Sequence, residues 1–403
     1  MDADGQRRLG EYFDGVGQIL SNKCRRASFA MYAMGLLSDG ERKSAEPIAA
    51  RACGDPAKVD AVHTRLLHFI KDSVWSDHDV RLFAARYGIE SICKRGPIES
   101  WIFDDTGFLK QGKHSVGVQR QYTGSAGKVT NCQIGVSLSV ATRDAHLPVD
   151  FELYLPQSWM DDRARRRVAR IAEHMEFKTK IELAMAMLER AVAAELPPGI
   201  VLADSFYGDA SEFRAKIRSF NLDYAVGVER RTKVWQIDSV QRRRGDPLLV
   251  GELAKQIDPG AYRRVTWRQG TKKDLSARFA FLRVVPFTDE SSDPSTREDV
   301  WLVIEWEDGE ADAKKFYFSS LPLSTSHKEL VRIIKERWRT ERVYQDLKDE
   351  LGLDHFEGRS FPGWHHHVSV ALACYAFVVA EQARRFPPSA SRPLADDAQF
   401  VAA

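Results

Sequence analysis

Two short apolar runs, Trp101-Ile102-Phe103 and Ile200-Val201-Leu202-Ala203, each end abruptly in an aspartate. Asp104-Asp105-Thr106-Gly107 follows the first; Asp204-Ser205, with Tyr207-Gly208 just beyond, follows the second. Short, continuously apolar runs read as strands buried inside a sheet. An acid at the exit of such a strand, beside a turn, points into a cleft.

A third acid lies far downstream. Leu330 to Leu353 predicts one helix. At 100° per residue, Leu330, Ile333, Ile334, Tyr344, Leu347 and Leu351 form an apolar stripe. Lys335, Arg339, Arg342, Gln345, Asp346 and Asp349 take the wet face. Arg337, Glu341 and Lys348 run along one side of the stripe at i, i+4 and i+11. A carboxylate between two cations at a core edge is costly, which singles out Glu341. Taken singly, Asp104 and Asp204 read equally well as turn or capping residues, and Glu341 as a salt bridge to Arg337. Together, two strand-borne acids and one helical acid can converge on divalent ions. Mg²⁺ prefers oxygen ligands, commonly a few carboxylates plus substrate phosphate. Two such ions about 4 Å apart clamp the attacking and leaving oxygens of a phosphoryl displacement.

The chain has 403 residues, enough for two or three domains. Residues 1–92 carry helical periodicity, and Gly54-Asp55-Pro56 separates two helices there as in a helix-turn-helix or an ordinary helix pair. From 93 to 228 the pattern turns to three strands followed by alternating helix and strand, which describes a mixed α/β sheet. Residues 229–321 are mainly β and interrupt that sheet as an insertion. Residues 322–385 return to helices, and the Pro- and Ala-rich tail 386–403 is expected to be disordered.

Net charge is only +2, so overall charge predicts no partner. Between Arg230 and Arg283, however, 14 Lys and Arg face 5 Asp and Glu. Arg242-Arg243-Arg244, Arg263-Arg264 and Lys272-Lys273 lie there, interleaved with Trp235 and Trp267, which favours a polyanion over a merely solvated face. Trp235, Trp267 and Trp301 read first as core residues of a β domain, and second as platforms for an extruded base. Five cysteines without C-x-x-C spacing suit a reducing compartment. No apolar run is long enough to span a bilayer, so no membrane partner is expected. His365-His366-His367 cannot converge on one ion from a regular helix, and they read as polar contacts at a helix start.

Longer words carry a resemblance. Asp104-Asp105-Thr106-Gly107-Phe108-Leu109-Lys110-Gln111-Gly112-Lys113, Ser115 to Tyr122, Leu202 to Gly208 and Gly352 to Ser360 resemble bacterial insertion-sequence transposases of the DDE type, in the subgroup with a β-rich insertion. The resemblance covers about residues 28–380. It implies an RNase H-like core that binds two Mg²⁺ ions, with Mn²⁺ able to substitute, through Asp104, Asp204 and Glu341, and Asp105 as the fallback for Asp104. Arg337, Glu341 and Lys348 match the family's Y-x2-R-x3-E-x6-K spacing, but Ile334 stands at the tyrosine position. Arg337, Lys348, Tyr344, Lys110, Lys113 and Arg120 are the expected DNA contacts, with Tyr344 as a substitute phenol. The implied activity is cleavage at terminal inverted repeats and joining of the 3′-hydroxyl to target DNA, by a dimer or larger assembly in the bacterial cytoplasm, at the nucleoid. A DNA-binding regulator derived from such an enzyme would have lost one of the acids, and none is lost. A metal-dependent nuclease without strand transfer would keep the same three.

Overall fold

The computed structural model describes residues 2–237, 244–268, 274–288 and 298–385. Arg242, Arg243, Lys272, Lys273, most of the 288–298 loop and the 386–403 tail lie outside the described residues.

The mixed α/β fold is organised by one sheet. Its strands in chain order are β1 (Ser100–Leu109), β2 (Gln119–Thr123), β3 (Lys128–Ala141), β4 (His146–Tyr154), β5 (Ile200–Ala203), β6 (Tyr224–Val228), β7 (Lys233–Gln236), β8 (Arg244–Leu249), β9 (Arg263–Arg268), β10 (Leu275–Pro286), β11 (Val300–Trp306) and β12 (Lys315–Ser319). β4, β3 and β1 pair antiparallel, then β1, β5 and β6 run parallel. This is the RNase H-like arrangement. The helices Lys180–Ala193 and Ser211–Ser219 lie in the β4–β5 and β5–β6 crossovers that parallel strands require. The insertion does not stand apart. Its strands extend the same sheet, because β12 returns antiparallel beside β6 and leads on to β11, β10, β7 and β8.

Strand alternation sorts the side chains onto two faces. Trp101, Phe103, Val201 and Ala203 enter the larger core, with the N-terminal helices and the C-terminal helix Phe361–Arg385. Ile102, Leu202 and Ala225 face a second cluster under the helix His327–Lys335, where Leu330, Val331, Ile333 and Ile334 cover them.

The helices of residues 3–93 are integral to the larger core. The Tyr12 hydroxyl donates to the carbonyl of Ala373 at 2.9 Å, and Tyr32 meets His367 Nδ1 at 2.9 Å. The three histidines diverge as the helical rotation requires. His365 meets Glu152, His366 meets the carbonyls of Ile70 and Trp75, and His367 meets those of Gly352 and Leu353. Trp235 and Trp301 are buried, and Trp267 packs half-buried against the second cluster.

Candidate active site

Asp104 and Asp204 are neighbours by register. Ile102 pairs with Leu202 in the last parallel bridge between β1 and β5, and each aspartate lies two residues further on. Adjacent strands are about 4.8 Å apart, so the acids leave the same end of the sheet side by side. β1 itself does not end at Asp104, as the sequence suggests. It continues to Leu109 because its antiparallel pairing with β3 continues, and Asp104 sits opposite Ser137. Asp204 does end its strand. Its Oδ1 accepts from the backbone N–H of Phe206 at 3.0 Å and of Tyr207 at 3.4 Å, capping the short Ser205–Gly208 turn. That turn lies flat on β6, since a Cβ at Gly208 would stand 1.9 Å from the carbonyl oxygen of Gly227.

Burial pushes the Asp104 carboxyl up to about 7 against the pull of Arg337, with the charges of Asp204 and Asp105 adding to the rise. Burial raises Asp204 as well, again opposed by Arg337 and reinforced by Asp105. Two desolvated, mutually repelling carboxylates of this kind are stabilised by positive charge. Here it comes from Arg337, whose Nη1 donates to Asp104 Oδ2 at 2.9 Å. Asp105 points to the opposite face and is neutralised by Lys180 Nζ at 2.7 Å.

The third acid is placed differently from the expectation. Leu330–Leu353 is two helices, His327–Lys335 and Trp338–Asp349, broken at Glu336–Arg337. Glu341 is not held at a core edge; its side chain is 71% exposed, with Oε1 4.0 Å from Arg337 Nη2. Arg337 thus lies between Asp104 and Glu341. Lys335 and Arg339 leave the wet face. Lys335 pairs with buried Glu305, and Arg339 donates to the carbonyls of Thr142 and Arg143.

Several expected DNA contacts are engaged inside the protein. Tyr344 is buried, with its hydroxyl 2.5 Å from Ser137 Oγ, beneath Asp104. Lys348 donates to Thr106 Oγ1 and the Gly107 carbonyl, both at 2.8 Å, which ties its helix to β1. Lys110 donates to the carbonyls of Phe356 at 2.9 Å and Asp354 at 3.2 Å. Desolvation lowers both ammonium pKa values. Lys113 and Arg120 are exposed. Three residues of the site were missed from sequence. Tyr207, whose hydroxyl donates to Asp105 at 3.5 Å, stands inside the quoted Asp204 word; Lys180 follows the helix-capping Thr179; Ser137 carries no local signal at all.

The donor chemistry fits a hard divalent cation, since buried Asp104 and half-buried Asp204 offer oxygens that need a positive partner. The gathering is incomplete. Among the described residues, no three acidic, histidine or cysteine side chains cluster closely enough to hold an ion.

Comparison with known proteins supplies the family. A family model described as DDE superfamily endonuclease matches residues 15–274, well over half the chain. The chain belongs to the DDE superfamily. A second model, Transposase DDE domain, matches residues 178–377, so the two together span Asp104, Asp204 and Glu341. A curated relative, the probable transposase for insertion sequence element IS701 of Microchaete diplosiphon, is 28% identical over 204 residues. The match covers 50% of this chain and 48% of the relative, about half the length of each.

Proposed function

We propose that the protein is a DNA transposase in which Asp104, Asp204 and Glu341 bind two Mg²⁺ ions, with Mn²⁺ as a substitute. The observation that carries this reading is the register of β1 and β5, which sets Asp104 and Asp204 side by side with Arg337 linking them to the helix of Glu341. When bound, the ions supply charge neutralisation for the attacking and leaving oxygens of a phosphodiester. The residues supply position. Asp104 and Asp204 hold the floor of the site, and Glu341 closes it by turning inward from its exposed rotamer. Arg337 exchanges Asp104 for a substrate phosphate, whose oxygens match its fork of donors. In the first step water attacks the phosphorus and the bond to the 3′-oxygen breaks, leaving a 3′-hydroxyl. In the second that hydroxyl attacks a target phosphodiester and displaces the target's own 3′-oxygen. The partners are double-stranded DNA at the element's terminal inverted repeats and at the target, with a dimer or larger assembly bridging the two ends. Exposed Lys113 and Arg120 are the remaining candidates for contacts to the flanking phosphates. Such work belongs at the nucleoid, and no helix of the described residues is long and apolar enough to cross a membrane.

Asp204→Ala tests the reading. Cleavage of a DNA carrying the element end should fall by at least about a thousandfold, the scale of losing an essential electrostatic group, while a gel shift with the same DNA changes little. Full cleavage by the variant removes Asp204 from the site.

A further inference from the structure

The acids have a second flank, on the side away from Arg337. Asp105 Oδ2 accepts from Lys180 Nζ at 2.7 Å. The same ammonium stands 4.0 Å from the centroid of the Phe206 ring. Phe206 is two residues past Asp204, which holds its backbone N–H. Although large and apolar, Phe206 is 48% exposed. Its edge contact with Tyr207 orients the ring, at a centroid distance of 5.2 Å and an interplanar angle of 85°. The metal cage needs neither residue. An oriented aromatic ring open to solvent beside half-buried Asp204 and Asp105, with the 22% exposed Lys180 side chain against it, is a surface shaped for a ligand that has both a flat face and a negative charge.

We propose that Phe206 and Lys180 bind the nucleotide adjoining the scissile phosphate, Phe206 stacking on its base and Lys180 contacting its phosphate. The proposal rests on the phosphoryl-transfer reading above and extends it to a substrate contact. The strand passes over the end of β5, from Arg337 on the face of Asp104 to Lys180 on the face of Asp105. Stacking on a single phenyl face tolerates any base, because every base has a π-face. It requires the base to be unpaired, which is the state available at a nick or a freed end. Lys180 gives up part of its hold on Asp105 to the phosphate, and Asp105 keeps the Tyr207 hydroxyl.

The test uses the full chain and a nicked DNA duplex with 2-aminopurine at the nick, titrated over a range of salt without divalent ions. The parent protein should quench the probe on binding. Phe206→Ala should lose the quench and about tenfold in affinity, the scale of one base–aromatic stack, while Phe206→Trp keeps both. Lys180→Gln should lower the slope of log affinity against log salt by about 0.7–0.9, one phosphate's worth, and Lys180→Arg should not. Full quenching by Phe206→Ala, or an unaltered slope for Lys180→Gln, overturns that residue's assignment. If Arg337→Gln still weakens binding in that case, the phosphoryl-transfer reading stands. A parent protein that does not bind the nicked DNA removes both.

Discussion

Asp104 is costly where it stands. Its carboxyl is buried, and its pKa of about 7 lies above the ordinary carboxylate value. A folded-state pKa raised in this way means that the folded protein binds more protons than the unfolded chain between about pH 4 and 7. Stability therefore falls as pH rises through that window, and the full penalty is present above pH 7. Asp104→Asn, which keeps the shape without the charge, should raise the unfolding free energy of the metal-free protein by about 2–4 kcal/mol at pH 8 and change it little at pH 4. Urea denaturation at the two pH values checks this, and an equal effect at both would mean that Asp104 carries no such penalty. Asp104 itself was legible in the sequence because an acid ending an apolar run is conspicuous. Its environment was not. Ser137 and Tyr344 reach it from residues more than thirty and two hundred positions away, through strand register and helix packing that no local pattern encodes.

At the scale of elements, the broken helix decides where Glu341 goes. The sequence predicts one helix because the apolar stripe continues across residues 334–344, and periodicity alone carries no mark of a break without Pro or Gly. The physical cause lies in what each half packs on. His327–Lys335 is fixed to the insertion: Lys335 Nζ reaches Glu305 Oε2 at 2.6 Å, and the Tyr317 hydroxyl donates to the same carboxylate at 2.8 Å. Trp338–Asp349 is fixed to β1 and β3 through Lys348 and Tyr344. Glu305 has no exposed side-chain surface, so removing one partner leaves a buried charge. Lys335→Met should therefore cost about 3–5 kcal/mol, whereas Lys335→Met with Glu305→Leu should recover most of it. Chemical denaturation of the single and double variants measures the difference, and equal losses would show that the pair is incidental. Lys335 looked wet from sequence because its partner comes from an insertion strand that a helical wheel cannot include.

Across the whole molecule, the sheet joins segments that look separate along the chain. The alternation of strand and helix made the mixed sheet readable, and the apolar runs made β5 and the first part of β1 readable. Edge order was not, so the insertion read as an interruption rather than a continuation of the sheet beyond β6. The N-terminal helices likewise read as a unit of their own, while Tyr12 and Tyr32 bond to the last helix across more than three hundred residues. On the proposed reading, this architecture brings Asp104, Asp204 and Glu341 onto shared metal ions. Anomalous diffraction from crystals of the protein with Mn²⁺ and a DNA end tests it most directly. Density for Mn²⁺ should appear between Asp104 and Asp204, with Glu341 turned in to join them. Crystals that hold the DNA end but show the metal elsewhere, or Asp104 and Asp204 without a common ion, would contradict it.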